Sequence, residues 1–163
     1  MRLNVILNIK VAMDEMLPFK GFPMKAGYIV QSVGKQIIVE HQLFEERRLE
    51  VVQRLGKEVM DEEGKPTGNW SIETNNLDFQ KEYSEMMTLD VDIKIPEKLT
   101  IEDLSAEYEK VVPSEDGTEV KTIEKLHISP VDILNLIESG ILEDPTDAEK
   151  DPTDADDDYV KID

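Results

Sequence analysis

Apolar residues at Leu3, Val5, Leu7, Ile9 and Val11 alternate with Asn4, Ile6, Asn8 and Lys10, a period of two that predicts a half-buried strand. Pro18, Gly21 and Pro23 then interrupt regular structure. From Met24 to Val59 the period changes. Ile29, Val33, Ile37, Phe44, Val51, Leu55 and Val59 recur at steps of four and seven, which keeps one face of a helix apolar. Glu40, Glu46 and Glu50 fall on the other side. A helix of about 30 residues within this stretch is ~45 Å long, more than a small domain spans, so it calls for a partner helix or a protruding hairpin.

Asp61 to Asn69 is rich in turn residues and predicts a small hairpin with Trp70-Ser71-Ile72. Asn75 or Asn76 caps a second helix, with Asp78 favourable in its first turn. Leu77, Phe79, Tyr83, Met86 and Met87 supply its apolar side, and it is expected antiparallel to the end of the long helix. Leu89 to Ile95 alternates strictly up to Pro96 and predicts a second strand. Thr100 to Leu104 opens a short helix, and Val111-Val112 with Val120 to Ile128 flank Pro113 to Gly117 as a hairpin. Ser129-Pro130-Val131-Asp132 is a strong helix start. That helix is expected to bury Ile133, Leu134, Leu136 and Ile137 and to stop at Gly140. The expected architecture is α+β. A long helix pairs with a shorter antiparallel one and packs on a small sheet made from the first two strands. One domain over residues 1–142 is followed by an acidic tail over 143–163.

Charge sharpens this picture. Residues 1–60 carry a net +2 and residues 61–163 a net −21, giving −19 for the chain. The tail repeats Asp-Pro-Thr-Asp-Ala at 144–148 and 151–155 and has a net charge of −8, a composition that predicts disorder in the free chain. Such a surface repels nucleic acid and membranes and attracts basic protein surfaces. The N-terminal apolar run is broken by Asn4, Asn8 and Lys10 and closes on no small-x-small site, so it reads as structure rather than a signal peptide. No stretch approaches the ~18 apolar residues of a membrane span. The chain has no cysteine, which removes disulfides, thiolate metal sites and thiol nucleophiles.

Candidate chemistry is sparse. Asp154, Asp156 and Asp158 have calcium-loop spacing, but Tyr159 stands where the loop needs glycine and the twelfth position is missing. His41 and His127 lie in separate segments and read as ordinary histidines. No phosphate-cradling glycine pattern or nucleophile elbow is present, and no cofactor or metal is expected. One cluster is basic and aromatic: Phe19, Lys20, Phe22, Lys25 and Tyr28, with Lys35 beyond it. Rings and lysines suit single-stranded nucleic acid, but the net charge opposes that. The cluster is better read as covering the helix start or meeting an acidic patch on a neighbouring copy. The acidic residues Asp78, Glu82, Glu85, Asp90, Asp92, Glu102, Asp103, Glu107 and Glu109 form the sharper candidate. Carboxylates spaced along ordered elements can imitate duplex phosphates, which carry one charge per ~1.7 Å of axis.

Leu17-Pro18-Phe19-Lys20-Gly21, Glu45-Glu46-Arg47-Arg48, Asp61 to Pro66, Asp78 to Tyr83, Leu89 to Ile95 and Ile128 to Asp132 together resemble an uncharacterised family of small acidic proteins of phages and prophages of Gram-positive bacteria. The likeness covers roughly residues 3–142. The segment from Val111 to Glu119 and the repeated tail depart from it. That family has no established catalytic residues to carry over. The resemblance implies a phage product in the host cytoplasm. With the charge pattern, it leads to the expectation of a non-enzymatic protein that binds and inhibits a host nucleic-acid-handling or defence protein by mimicking or occluding nucleic acid. The partner is expected to be a host or phage protein with a basic surface, with no direct nucleic-acid or membrane binding. The alternative is a morphogenesis or virion component that self-associates through its helical hairpin. A small enzyme is the third reading.

Overall fold

In the computed structural model, which describes residues 1–113 and 119–146, the first element is a helix. Leu3, Ile6, Ile9, Ala12, Met13 and Met16 are its buried residues, and steps of three and four bring all of them to one side only in helical geometry. The predicted strand over 3–11 is therefore α1 (Leu3–Met16). Apparent alternation misled because Ile6, on its polar side, is itself fully buried, whereas Val11 on its apolar side is 58% exposed. Packing against neighbouring helices overrides the weak helix preference of the Asn and β-branched residues.

The remaining elements are α2 (Met24–Leu55), β1 (Lys57–Met60), β2 (Pro66–Ser71), α3 (Leu77–Met87), α4 (Ile101–Leu104), β3 (Glu107–Pro113), β4 (Glu119–Lys125) and α5 (Pro130–Glu138). The fold is α+β, with two separate antiparallel hairpins, β1–β2 and β3–β4. Neither hairpin is built from the two strands expected to pair. α1 lies against α2 and α5, and α3 lies against α2.

α2 ends at Leu55, one turn earlier than expected, because the chain turns at Gly56 into the first hairpin. Val59 thus belongs to β1 and is 37% exposed. The other buried positions read from the helical period, Ile29, Val33, Ile37, Phe44 and Val51, are all in the core. α3 starts where predicted, with the Asn76 side chain accepting from Phe79 N at 3.0 Å. Tyr83 meets Phe44 edge-on, Glu82 meets Arg54, and Met86 lines a hollow with Leu43, so α3 runs back along α2. Leu77 does not join the apolar side and stays 77% exposed. α5 has the predicted Ser129 cap and Pro130, and Leu136 is fully buried. Ile133 and Ile137 pack at the core margin, but Leu134 points outward, 59% exposed.

The segment 89–95 is the second correction. It is extended, yet its only strand-like pairing is a single bridge between Arg2 and Asp90. Leu3 N donates to Leu89 O and Val91 N to Met1 O. Further on, the Gln36 side chain takes the place of a neighbouring strand: its Oε1 accepts from Lys94 N at 2.9 Å and its Nε2 donates to Lys94 O at 2.9 Å. Lys25 then meets Glu97. The run from Leu89 to Glu97 covers ~26 Å if extended, and α2 from Leu43 back to Lys25 covers ~27 Å. The segment is thus a strap stretched along α2. Its alternation is real: Val91, Ile93 and Ile95 pack on the core while Asp90, Asp92 and Lys94 face out. One-sided burial needs a surface beneath the chain, not a sheet beside it.

Candidate functional site

Seven of the nine acidic candidates sit on three short elements and the other two on the strap, and their surroundings divide them. Asp78, Glu82 and Glu85 occupy positions i, i+4 and i+7 of α3, which lie on one helix face. Asp90 and Asp92 project from the outer side of the strap that follows directly. Glu82 is taken by Arg54 of α2, whereas Asp78, Glu85, Asp90 and Asp92 are exposed.

The other four belong to a second region. Asp103 holds the short helix together: its Oδ2 accepts from Thr100 N at 2.8 Å, and Asp103 N donates to Thr100 Oγ1 at 3.2 Å. This reciprocal capping was visible in the Thr100-x-x-Asp103 spacing and assigns Asp103 a structural part. Glu102 beside it is exposed. Glu107 pairs with Lys125 and Glu109 with Lys121, each at 3.0 Å, across β3 and β4. These two carboxylates are therefore half-neutralised, and local sequence carries no signal for it, because each partner lies on the other strand.

The basic and aromatic cluster divides as well. Phe19 meets Phe22 edge-on at 5.1 Å and Tyr108 at 5.5 Å, which seats the base of the β3–β4 hairpin on the turn between α1 and α2. Gly21 gives this contact its room, since a Cβ there would fall 2.6 Å from the Phe19 ring. Lys25 bonds Glu97 across the strap, and that bond raises its pKa, with Asp103 and Glu143 adding attraction. Lys20 is exposed, and Tyr28 lines an open basin with Lys35, Gln36 and Lys94. Phe19, Phe22 and Lys25 thus make contacts within the fold, while Lys20 and Tyr28 face outward.

Sequence reasoning missed Tyr108, Lys110 and Glu124. Glu124 Oε2 accepts from Tyr108 OH at 2.9 Å and lies 3.1 Å from Lys110 Nζ. The Lys110 ammonium, then the Tyr108 hydroxyl, hold the Glu124 carboxyl below the usual carboxylate range. Tyr108 and Lys110 are both raised, chiefly by their bonds to Glu124. A depressed acid contributes above its unfolded pKa and loses that contribution as pH falls through its lower folded value. A raised group contributes below its unfolded pKa and loses that as pH rises through its higher folded value. Against unfolded values of about 4.3 for Glu and about 10 for Tyr and Lys, the hairpin base is expected to hold from about pH 5 to pH 10 and to loosen on either side. Ring resonances of Phe19 and Tyr108 followed across that range check it. A shift in the middle of the window would contradict it.

Among the described residues no group of three or more His, Asp or Glu is placed to hold a metal ion. His41 is half-buried on α2 and His127 is exposed, and the Asp154, Asp156 and Asp158 spacing lies outside the described residues. No polar or charged side chain among the described residues is buried. A hollow of about 140 Å³ sits between Leu3, Leu43, Phe44, Met86, Leu89 and Val91. No helix of the described residues is long and apolar enough to cross a membrane. The chain matches no family model, and no curated protein and no solved structure matches it.

Proposed function

We propose that this chain is a phage-encoded, non-catalytic acidic protein that works in the host cytoplasm. It binds a basic surface on a host nucleic-acid-handling or defence protein and inhibits it by occupying the place of nucleic acid. The observation that carries this reading is the row of exposed carboxylates on α3 and the strap. Asp78, Glu85, Asp90 and Asp92 follow one another on adjoining elements and project outward, in a chain of net charge −19. The likeness to small acidic phage proteins supports the origin and the host compartment. Capture from a Gram-positive lysate tests the reading. A basic protein should be retained at about 0.1 M salt, where the Debye length is about 10 Å, and released at about 1 M, where it is about 3 Å. Retention unaffected by salt would contradict it.

A second reading, a virion or assembly component that self-associates through its helices, is favoured by the apolar residues around the small hollow. Leu43 and Leu89 are each more than half exposed there. Association of that kind survives or tightens in the same salt, so the two readings move in opposite directions.

A further inference from the structure

The β3–β4 hairpin stands clear of the core beyond its base. From Glu109 to Pro113 and from Glu119 to Ile123 every residue is exposed. Val111, Val112, Val120 and Ile123 lie among them, 39% to 64% exposed. The hairpin is a sheet of two strands, so the outer edge of β4 has no strand beside it among the described residues. A ribbon of two strands is marginal in water, and a free edge is a template for another strand. We propose that the β4 edge pairs antiparallel with β4 of a second copy of this chain, giving a four-stranded sheet with its two-fold axis at Thr122.

The sequence of β4 fits that operation on itself. Turned about Thr122, Glu119 falls opposite the partner's Lys125, Val120 opposite the partner's Glu124, and Lys121 opposite the partner's Ile123. Thr122 meets the partner's Thr122, a favourable hydroxyl pair. No like charges are directly opposed. Lys125, already bound to Glu107, gains a second carboxylate from the partner's Glu119, so charge alternates across the joined sheet. On the same face Ile123 and its copy are diagonal neighbours across the axis, within reach of each other. The outer edge of β3 does not permit the equivalent arrangement. Turned about its middle residue, it sets Lys110 against the partner's Lys110, and Pro113 lacks the N–H that a ladder needs. Self-complementary charge on one edge and self-repulsion on the other select β4 and select a second copy as occupant.

This pairing is independent of the proposed function, and its salt response separates the two. Two chains of net charge −19 repel, so screening strengthens the dimer while it releases a basic partner. The test is sedimentation velocity on the full chain and on two variants, Thr122→Lys and Thr122→Glu. The unsubstituted chain is expected to dimerise more tightly as salt rises. Each variant places like charges at the axis and is expected to weaken dimerisation on the order of tenfold, and an equimolar mixture of the two is expected to recover it. Thr122 is exposed, so both variants keep the wild-type far-ultraviolet circular dichroism. If either does not, Thr122→Cys answers instead. In a chain without cysteine it should cross-link to its copy under mild oxidation much faster than Ser84→Cys on α3. A monomer at all concentrations, variants that dimerise like the original, a mixture no tighter than its components, or equal cross-linking of the two cysteines would each overturn the proposal.

Discussion

Ile6→Asp is expected to unfold the protein, whereas Val11→Asp is expected to leave its unfolding midpoint almost unchanged. Ile6 is fully buried in the core among α1, α2 and α5, and Val11 is 58% exposed on the opposite side of the same helix. An aspartate at Ile6 loses the burial of a large aliphatic side chain and forces a carboxylate into apolar surroundings without a partner. The combined cost exceeds about 4 kcal/mol, against a typical total stability of about 5–15 kcal/mol. At Val11 the change is a surface one, on the order of 0.5 kcal/mol. Urea unfolding followed by circular dichroism measures both. A strand over 3–11 would reverse the order, since alternation puts Val11 inside and Ile6 outside.

Gly56→Ala is expected to cost about 1–3 kcal/mol, the range for forcing extra volume into packed structure, and to displace the first hairpin. Its backbone lies at φ −94° and ψ −169°, which any residue can adopt. Space is the constraint. A Cβ at Gly56 would fall 2.4 Å from Ser71 O and 2.5 Å from Val52 O, both backbone atoms that cannot rotate away. At Gly34 the clash is with the end of the Leu17 side chain at 2.7 Å, which can move aside, so Gly34→Ala is the milder change. Trp70 pairs with Glu58 in that hairpin and is the chain's only tryptophan, so its fluorescence reports the displacement locally. Equal losses from both glycines, with Trp70 emission unmoved, would contradict this account.

The helices with strong local signals were legible in the sequence. α2 announced itself through its apolar steps, α3 through Asn76 and α5 through Ser129-Pro130. These signals are local because capping side chains bond the backbone only two or three residues away. α1 and the strap were misread for a common reason. Alternation reports burial on one side, and for α1 the deciding residue was Ile6, whose burial depends on helices far away in the chain. For the strap, the deciding contact was the Gln36 amide, 58 residues from Lys94. The acidic inventory was legible as chemistry but not as geometry. Arg54, Lys121 and Lys125 claim Glu82, Glu109 and Glu107 through pairings that only the folded chain creates. What remains outward is a smaller group, led by Asp78, Glu85, Asp90 and Asp92.

That group is the centre of the functional account, and its neutralisation tests the account most directly. The quadruple variant Asp78→Asn, Glu85→Gln, Asp90→Asn, Asp92→Asn changes only exposed side chains and should stay folded, losing no more than the roughly 0.3–1 kcal/mol that Asp78 contributes in the first turn of α3. Side by side in a Gram-positive lysate at low salt, the wild-type chain should retain a basic protein that duplex DNA displaces, and the variant should retain none of it. A variant that captures the same protein as strongly as the wild type would show that these carboxylates do no more than keep the chain hydrated.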